Sequence, residues 1–329
     1  MEKECELYVK DKGRKVRCSA CVHRCFIQNK KAGICGIRIN LGGKLFLMNY
    51  GKIASMNVDP IEKKPLYHFL LGTKSFSIGT SGCNFRCGFC QNFEISQLKG
   101  IIGDEYKIEN IFELAIKNKC KSISYTYNEP TIFIEFVHDM AKFSKMRGLK
   151  NVLVTNGYET KECIDFISPY VDAMNIDLKS FSEEFYSKNC GAKLKPILET
   201  IKYAYQKKIW IEITTLVVPG ENDSEKEMEE IAKFIASIDK NIPWHISRFF
   251  PMHKMSEKNA TDISFLKKTF DIGRKYLNYV YVGNIDVENP TVCPKCGIKI
   301  IERYGYSTKS NLRLNVCFNC GEKIAGVWE

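Results

Sequence analysis

The fold is decided by the stretch Ser75-Phe-Ser-Ile-Gly-Thr-Ser-Gly-Cys83-Asn-Phe-Arg-Cys87-Gly-Phe-Cys90-Gln-Asn92. Phe76 and Ile78 alternate with small residues, which predicts a strand, and Gly79 and Gly82 allow a tight turn after it. Iron–sulfur clusters are ordinarily held by four Cys thiolates. Three cysteines with no fourth one nearby therefore leave one iron open to another ligand, and the loop predicts a catalytic metal centre at the end of a strand.

The alternative interpretation of this loop is a structural zinc site. Zinc normally closes a structural site with four ligands. The nearest histidine, His68, lies upstream of the predicted strand and not in the loop. An iron–sulfur cluster is therefore favoured over zinc.

Eleven of the 15 cysteines fall into three groups. They are the N-terminal set (Cys18, Cys21, Cys25, Cys35), the loop set (Cys83, Cys87, Cys90) and the C-terminal set (Cys293, Cys296, Cys317, Cys320). Closely spaced cysteines in a cytosolic chain indicate metal binding before disulfides. The four single cysteines are predicted to be buried packing residues; they are Cys5, Cys120, Cys163 and Cys190.

Composition is typical of a globular chain with a large core. Its 329 residues are 44% apolar and 26% charged, and no apolar run reaches the roughly 18 residues that span a bilayer. The charged N-terminus lacks the apolar region of a signal peptide, so a cytoplasmic location without membrane contact is expected. The net charge of +11 comes from dispersed lysines, and it permits nucleic-acid binding without indicating it.

Residues 1–70 are predicted to form a Cys-rich β module followed by a connector. The N-terminal set can close a tetrahedral site, for which zinc is the commoner occupant, although an auxiliary iron–sulfur cluster also needs four cysteines. Spacing leaves both open, with zinc favoured, and His23 is not included among the ligands. Leu41-Gly-Gly-Lys44 predicts a hairpin turn, and residues 57–69, with two prolines, predict the connector.

Residues 71–288 alternate strand-like and helix-like segments, which predicts an α/β domain with a parallel sheet or barrel. The helices include Thr131–Met146 and Glu225–Ile238, and a short seventh strand is expected at 279–283. The six main strands are predicted at 76–79, 122–127, 151–155, 173–178, 210–218 and 244–249. Active sites of such domains form at the carboxyl ends of the strands.

Polar residues follow several of these strands. Asn128 and Glu129 follow the second strand, Asn156 the third, and Asp177 and Lys179 the fourth.

The fifth strand leads into Pro219-Gly220, which is either a ligand-contacting loop or an ordinary turn. The sixth contains His245 and Arg248, either substrate contacts or packing residues, and leads to His253.

Residues 289–329 have a different character. The C-terminal set forms two Cys-x-x-Cys-Gly knuckles separated by twenty residues. Such paired knuckles are specific for a zinc ribbon. The ribbon is expected to fasten the C-terminus, with nucleic-acid or protein binding as the alternatives.

The loop set resembles the signature of radical S-adenosylmethionine (SAM) enzymes. Nearly the whole chain resembles the AmmeMemoRadiSam-system radical SAM enzymes, which are related to pyruvate formate-lyase activating enzyme. The motifs that carry this resemblance are Cys18-x2-Cys21-Val-His-Arg-Cys25, Cys35-Gly, Asp59-Pro-Ile-Glu-Lys-Lys-Pro65, Gly79-Thr-Ser-Gly-Cys83-Asn-Phe-Arg-Cys87, Pro251-Met-His-Lys-Met255 and Gly326-Val-Trp328.

The resemblance implies a partial (β/α)6 barrel in which the loop set holds a 4Fe-4S cluster whose open iron binds SAM. The reduced cluster would split SAM into methionine and a 5′-deoxyadenosyl radical. Lys179 would act with the loop set in catalysis. The residues implied to contact SAM are Phe89, Asn92, Asn128, Glu129, Asn156, Asp177, Lys179 and His253. Asn128-Glu129-Pro130 takes the place of a Gly-Gly-Glu-Pro motif, whose two glycines this sequence lacks.

The resemblance also implies partners. A MEMO-like protein, an AMMECR-type protein and an electron donor such as flavodoxin or ferredoxin are expected, with a protein as the substrate. The competing hypotheses are a radical SAM enzyme acting on RNA or a small molecule, and a non-catalytic binding module stabilised by zinc at all three cysteine groups.

Overall fold

The computed structural model describes residues 2–98, 100–312 and 315–329, and its centre is an eight-stranded, mostly parallel sheet. The seven parallel strands follow one another in space as they do in the chain. They are β1 (Lys74–Gly79), β2 (Ser122–Tyr125), β3 (Lys150–Thr155), β4 (Ala173–Asp177), β5 (Trp210–Val217), β6 (Trp244–Arg248) and β7 (Val280–Gly283). The predicted alternation is confirmed, with the seventh strand in place.

An antiparallel strand, Ser55–Pro60, forms the edge of the sheet beside β1. It lies partly in the segment predicted as a connector, so that prediction missed a strand. Its register pairs Ser55 with Gly79 and Pro60 with Lys74. Pro60 is tolerated because edge positions do not require every backbone N–H to pair.

Helices cover the sheet between the parallel strands. Those of seven or more residues are α1 (Ile108–Lys117), α2 (Ile134–Lys145), α3 (Lys161–Ile167), α4 (Leu194–Gln206), α5 (Glu225–Ile238) and α6 (Ile263–Arg274). The bounds of α5 are those predicted, and the Ser224 side chain caps it by accepting from Glu227 N. The helix predicted from Thr131 begins as a 3-10 turn, Pro130–Phe133, before α2. Among the described residues no helix has the length and apolarity needed to cross a membrane.

The N-terminal β module is confirmed as two small antiparallel sheets. One contains Lys3–Glu4, Arg38–Leu41 and Lys44–Leu47; the other contains Tyr8–Asp11, Lys15–Cys18 and Phe26–Ile27. The predicted hairpin turn is present, with Leu41 paired to Lys44. A further two-stranded sheet joins Lys52–Ile53 to Asp104–Glu105.

A buried ion pair fixes this module to the central domain. The guanidinium of Arg38 donates to both carboxylate oxygens of Glu135 in α2, at 2.9 and 2.5 Å. Both side chains are almost fully buried, and a buried charge is tolerated only when paired in this way. One turn further along α2, Lys3 pairs with Asp139 at 2.6 Å.

The C-terminal segment forms a three-stranded sheet from Thr291–Val292, Lys299–Tyr304 and Ser307–Ser310. It meets the central domain near the amino ends of β5 to β7. There His68 hydrogen-bonds Tyr281 and the carbonyl of Ala325, both at 2.6 Å. Buried Arg303 donates to the carbonyl of Tyr67 at 2.7 Å. The cluster loop (residues 80–92), in contrast, lies at the carboxyl end of β1.

The carboxylate of Glu212 in β5 is the centre of this junction. It accepts the backbone N–H groups of Tyr67 and His68 at 2.9 and 2.8 Å, Nε1 of Trp210 at 3.0 Å and Nε2 of His245 at 2.7 Å. His245 is therefore held by the protein itself at the junction in this structure, which favours a packing role for it over contact with substrate.

Replacing Glu212 with Ala is expected to destabilise the protein severely. The change leaves four buried donors without their acceptor, and breaking such a buried network costs roughly 3 to 5 kcal/mol. Anaerobic denaturant titration checks this, with Glu288→Ala as the control because the Glu288–Lys299 pair is half exposed. Equal denaturation midpoints for the two variants would contradict the assignment.

Candidate active site

The cluster loop is held in place by the side chain of Asn128. Its Oδ1 accepts the N–H of Thr80 at 3.0 Å, and its Nδ2 donates to the Thr80 hydroxyl at 3.0 Å and to the Gly82 carbonyl at 2.9 Å. Gly82 has a φ of +94°, and a Cβ there would lie 2.8 Å from the Cys35 carbonyl. Asn128, predicted to contact SAM, thus has a positioning role in the structure.

The three cysteines of the loop set all lie in this turn, and the single-turn helix Phe93–Ser96 follows it. Burial, and then the charge of Glu129, raise the pKa of Cys83; burial also raises the pKa of Cys90. Buried thiols stay protonated unless positive charge compensates the thiolate. A bound metal centre supplies that charge and displaces the proton.

Sulfur spacing distinguishes the cysteine groups. Among the described residues, only the C-terminal set brings three or more potential ligand atoms of Cys, His, Asp or Glu within 4.8 Å of one another. Its Sγ pairs lie 3.6 and 3.7 Å apart, close to the about 3.8 Å of a tetrahedral site with zinc–sulfur bonds of about 2.3 Å. The C-terminal set can thus hold a single ion, whereas the loop set is spread more widely and suits a larger cluster.

Lys179 and Asp177 form an ion pair beside the loop set. Their Nζ and Oδ2 atoms are 2.6 Å apart. Although burial opposes it, the charge of Asp177 raises the pKa of Lys179, so the ammonium remains charged. Lys179 also lies 5.9 Å from the centre of the Phe89 ring. The structure therefore brings together three residues of the predicted site, Phe89, Asp177 and Lys179.

Glu129, expected to contact SAM and as a carboxylate suited to its ammonium group, is engaged by the protein itself. Its carboxylate accepts the N–H and hydroxyl of Thr131, the Thr155 hydroxyl at 2.9 Å and the N–H of Asn156 at 2.8 Å. The side chain is buried. An ammonium would have to add to these donors or replace one of them, so the role of Glu129 stays a prediction.

Glu159 is a neighbour of Glu129 that sequence reasoning missed. It shares the Thr155 hydroxyl, with a contact of 2.5 Å, and its Oε2 is buried with no hydrogen-bond partner among the described residues. Burial, and then the charge of Glu129, raise the pKa of Glu159 to about 8. Its position three residues after Asn156 was the available signal.

His253 lies over the cluster loop. Its ring stacks on Phe93 with centroids 4.5 Å apart, and the next residue, Lys254, donates its N–H to the Gly88 carbonyl at 3.0 Å. The buried Nε2 of His253 has no partner in the described part of the chain. This atom is placed to meet a bound group, which suits the predicted role.

Two further predicted residues support the loop. Asn92 Nδ2 donates to the Tyr127 carbonyl at 2.8 Å, and Asn156 Nδ2 donates to Asn84 Oδ1 at 2.8 Å. Both positions therefore stabilise the turn in this structure, and direct contact with SAM stays a prediction.

Cys190 was predicted to be a packing residue, and its thiol is indeed buried. The structure adds that it adjoins the loop set. A hydrogen bond with Cys190, together with burial, raises the pKa of Cys87. The backbone N–H of Arg86 also donates to the Cys190 carbonyl at 3.0 Å. No sequence spacing linked Cys190 to the loop, because the two segments are about a hundred residues apart.

An open parallel sheet with a three-cysteine loop after its first parallel strand defines an α/β protein equipped for an iron–sulfur centre. The sequence profile of the Radical SAM superfamily matches residues 77–235. With the relatives described next, this shows that the chain belongs to the radical SAM superfamily.

Three relatives illustrate the similarity. An uncharacterized protein of Methanocaldococcus jannaschii is 42% identical over 332 residues, covering 98% of each chain. A putative glycyl-radical enzyme activating enzyme of the same organism is 30% identical over 217 residues, covering 65% of this chain and 82% of that protein. Pyruvate formate-lyase 1-activating enzyme of Escherichia coli is 25% identical over 177 residues, covering 50% and 71%. The predicted relation to activating enzymes is thus confirmed.

Glu159 is expected to make stability depend on pH. Because its pKa is raised in the folded state from 4.5 to about 8, the folded protein holds a proton that the unfolded chain loses in this range. Its contribution to the free energy of unfolding therefore falls as pH rises from about 5 to about 8. The variant Glu159→Gln should show a smaller fall, measured by anaerobic urea titration.

The matched control is Glu162→Gln, since Glu162 is exposed on α3 and its pKa is lowered. Parallel stability–pH curves for wild type and Glu159→Gln would refute the shared burial of Glu129 and Glu159.

Proposed function

We propose that this protein cleaves SAM reductively at a 4Fe-4S cluster held by Cys83, Cys87 and Cys90. The supporting observation is the loop set, half-buried and too widely spaced for one ion, with the Lys179–Asp177 pair beside it. When bound, the cluster and SAM supply one-electron reduction of the sulfonium, giving methionine and a 5′-deoxyadenosyl radical.

The protein's own residues would bind and orient SAM. The Lys179 ammonium is charged and suits the methionine carboxylate, while Asp177 orients it through the 2.6 Å contact. Glu129 suits the methionine ammonium, with donors from Thr131 and Asn156 fixing its carboxylate. The Nε2 of His253, which has no partner among the described residues, provides a further polar contact.

The substrate we propose is a protein from which a hydrogen atom is abstracted, as in activating enzymes. The names of two relatives support this class. A flavodoxin- or ferredoxin-like donor would supply the electron in the cytoplasm, and MEMO-like and AMMECR-type proteins remain proposed partners of an AmmeMemoRadiSam-system enzyme.

The other parts of the chain have supporting roles in this proposal. The sheet would curve as a partial (β/α)6 barrel, and the C-terminal set would hold zinc in a ribbon. The contacts of Glu212, His68 and Arg303 at the junction favour fastening over RNA binding as the ribbon's role. A non-catalytic module with zinc at all three cysteine groups would require the sulfurs of the loop set to lie close enough to bind one ion. The sulfurs of Cys83, Cys87 and Cys90 are too far apart for that.

Replacing the whole loop set with Ala is expected to abolish SAM cleavage, because no thiolates remain to hold the cluster. Formation of 5′-deoxyadenosine from SAM and dithionite, measured after anaerobic reconstitution, should fall to background. Cys120→Ala, a buried cysteine outside the site, is the control and should retain activity. Cleavage by the triple variant would sink the proposal.

Lys179→Met is expected to weaken SAM binding while leaving the cluster intact. A charge-assisted hydrogen bond contributes about 1.5 to 3 kcal/mol, or roughly ten- to a hundred-fold in affinity. Anaerobic calorimetry with the reconstituted protein measures this. Lys188→Met is the control because Lys188 is exposed; if both variants bind SAM as wild type does, Lys179 has another role.

A further inference from the structure

The N-terminal set lines one cavity, although its members come from different turns. Cys18 ends a strand, Cys21 and Cys25 lie in the following loop, and Cys35 precedes the left-handed Gly36. The remaining wall is mainly apolar, formed by residues that include Ala20, Ile27, Ile34 and Ile132. Four cysteines that line one mainly apolar cavity are the residue types that hold a metal centre.

The spacing of this set differs from that of the C-terminal set. Within the described ranges, no three of its sulfurs lie within 4.8 Å of one another, whereas all four C-terminal sulfurs do. A single zinc requires sulfurs about 3.8 Å apart. The loop set, whose superfamily holds an iron–sulfur cluster, shows the same wider arrangement.

We propose that Cys18, Cys21, Cys25 and Cys35 hold a second iron–sulfur cluster, in place of the zinc favoured by the sequence. Four Cys ligands are the ordinary complement of such a cluster. The inference is independent of SAM cleavage, since it concerns a separate set of ligands.

Hydrogen-bond donors around the cavity suit a sulfur-rich occupant. The N–H of Ile34 lies 3.5 Å from Cys25 Sγ. Asn84 also lines the cavity and is 2% exposed, and its Nδ2 has no acceptor within the described residues. A cluster adds sulfide ions to the four thiolates, and hydrogen bonds to the sulfurs help to set its potential.

The proposed cluster would share a wall with the SAM site. Asn84 follows Cys83, and its carbonyl is 2.9 Å from His23 Nε2. Arg86 donates to the Ile34 carbonyl at 2.7 Å. The N-terminal module thus contacts the cluster loop directly. The proposed second cluster and the SAM site are therefore neighbours.

The test is metal and sulfide analysis of the full chain, purified and reconstituted anaerobically. In the background that replaces the loop set with Ala, we expect at least about two irons with equal sulfide, and about one zinc, per chain. Adding Cys25→Ser and Cys35→Ser should remove the remaining iron and its electron paramagnetic resonance signal after reduction. Adding Cys163→Ser, a buried cysteine outside all three sets, should not.

The proposal would be overturned if the protein with its loop set replaced by Ala contained about two zinc ions and no iron per chain. It would also be overturned if iron remained after Cys25→Ser and Cys35→Ser are added. Circular dichroism and urea midpoints identify any variant that fails to fold. If a variant fails to fold, iron X-ray absorption is measured on the protein in which only the loop set is replaced with Ala. The proposal requires both sulfur and iron neighbours around the remaining iron. Failure of SAM cleavage in wild type would leave these iron counts unchanged, so the two proposals fail separately.

Discussion

Parallel pairing from β1 to β7 is the constraint on which the site depends. Every strand of a parallel array ends at the same edge, so residues separated by nearly a hundred positions come together there. The cluster loop after β1, Glu129 after β2, Asn156 after β3 and Lys179 after β4 all follow from this single rule. The apolar, largely buried strands specify the array, and the polar residues at their ends specify the chemistry.

Much of this arrangement could be predicted from the sequence. The alternating segments gave the order of strands, and the helix-starting residues Asn222-Asp-Ser224 indicated where α5 begins. What could not be predicted depends on contacts between distant segments. The strand Ser55–Pro60 has an edge role that the prolines at its last position and at position 65 obscured. The internal hydrogen bonds of Glu129 and the contact of Cys190 with Cys87 exist only once β3 and the helical turn after β4 are in place.

The two ends of the sheet have separate tasks. At the carboxyl ends, polar atoms such as His253 Nε2 have no partner within the described part of the chain, as expected where a ligand is to complete the hydrogen bonding. At the amino ends, Glu212 accepts four donors and the neighbouring His68 uses both ring nitrogens. At the same junction the buried Nε of Arg303 and hydroxyl of Tyr279 have no partner among the described residues, but the carboxylate of Glu212 is fully engaged, and a satisfied buried network of this kind is rigid. The rigid junction thus lies away from the edge at which chemistry is expected.

The same junction has a consequence for synthesis on the ribosome. Leu70 donates its N–H to the Val327 carbonyl at 2.7 Å, and Val327 donates to the His68 carbonyl at 2.8 Å. These partners are translated more than 250 residues apart. A nascent chain that has already exposed β1 therefore still has unpaired backbone groups just before it, and this end of the sheet completes its folding only after Val327 has left the exit tunnel.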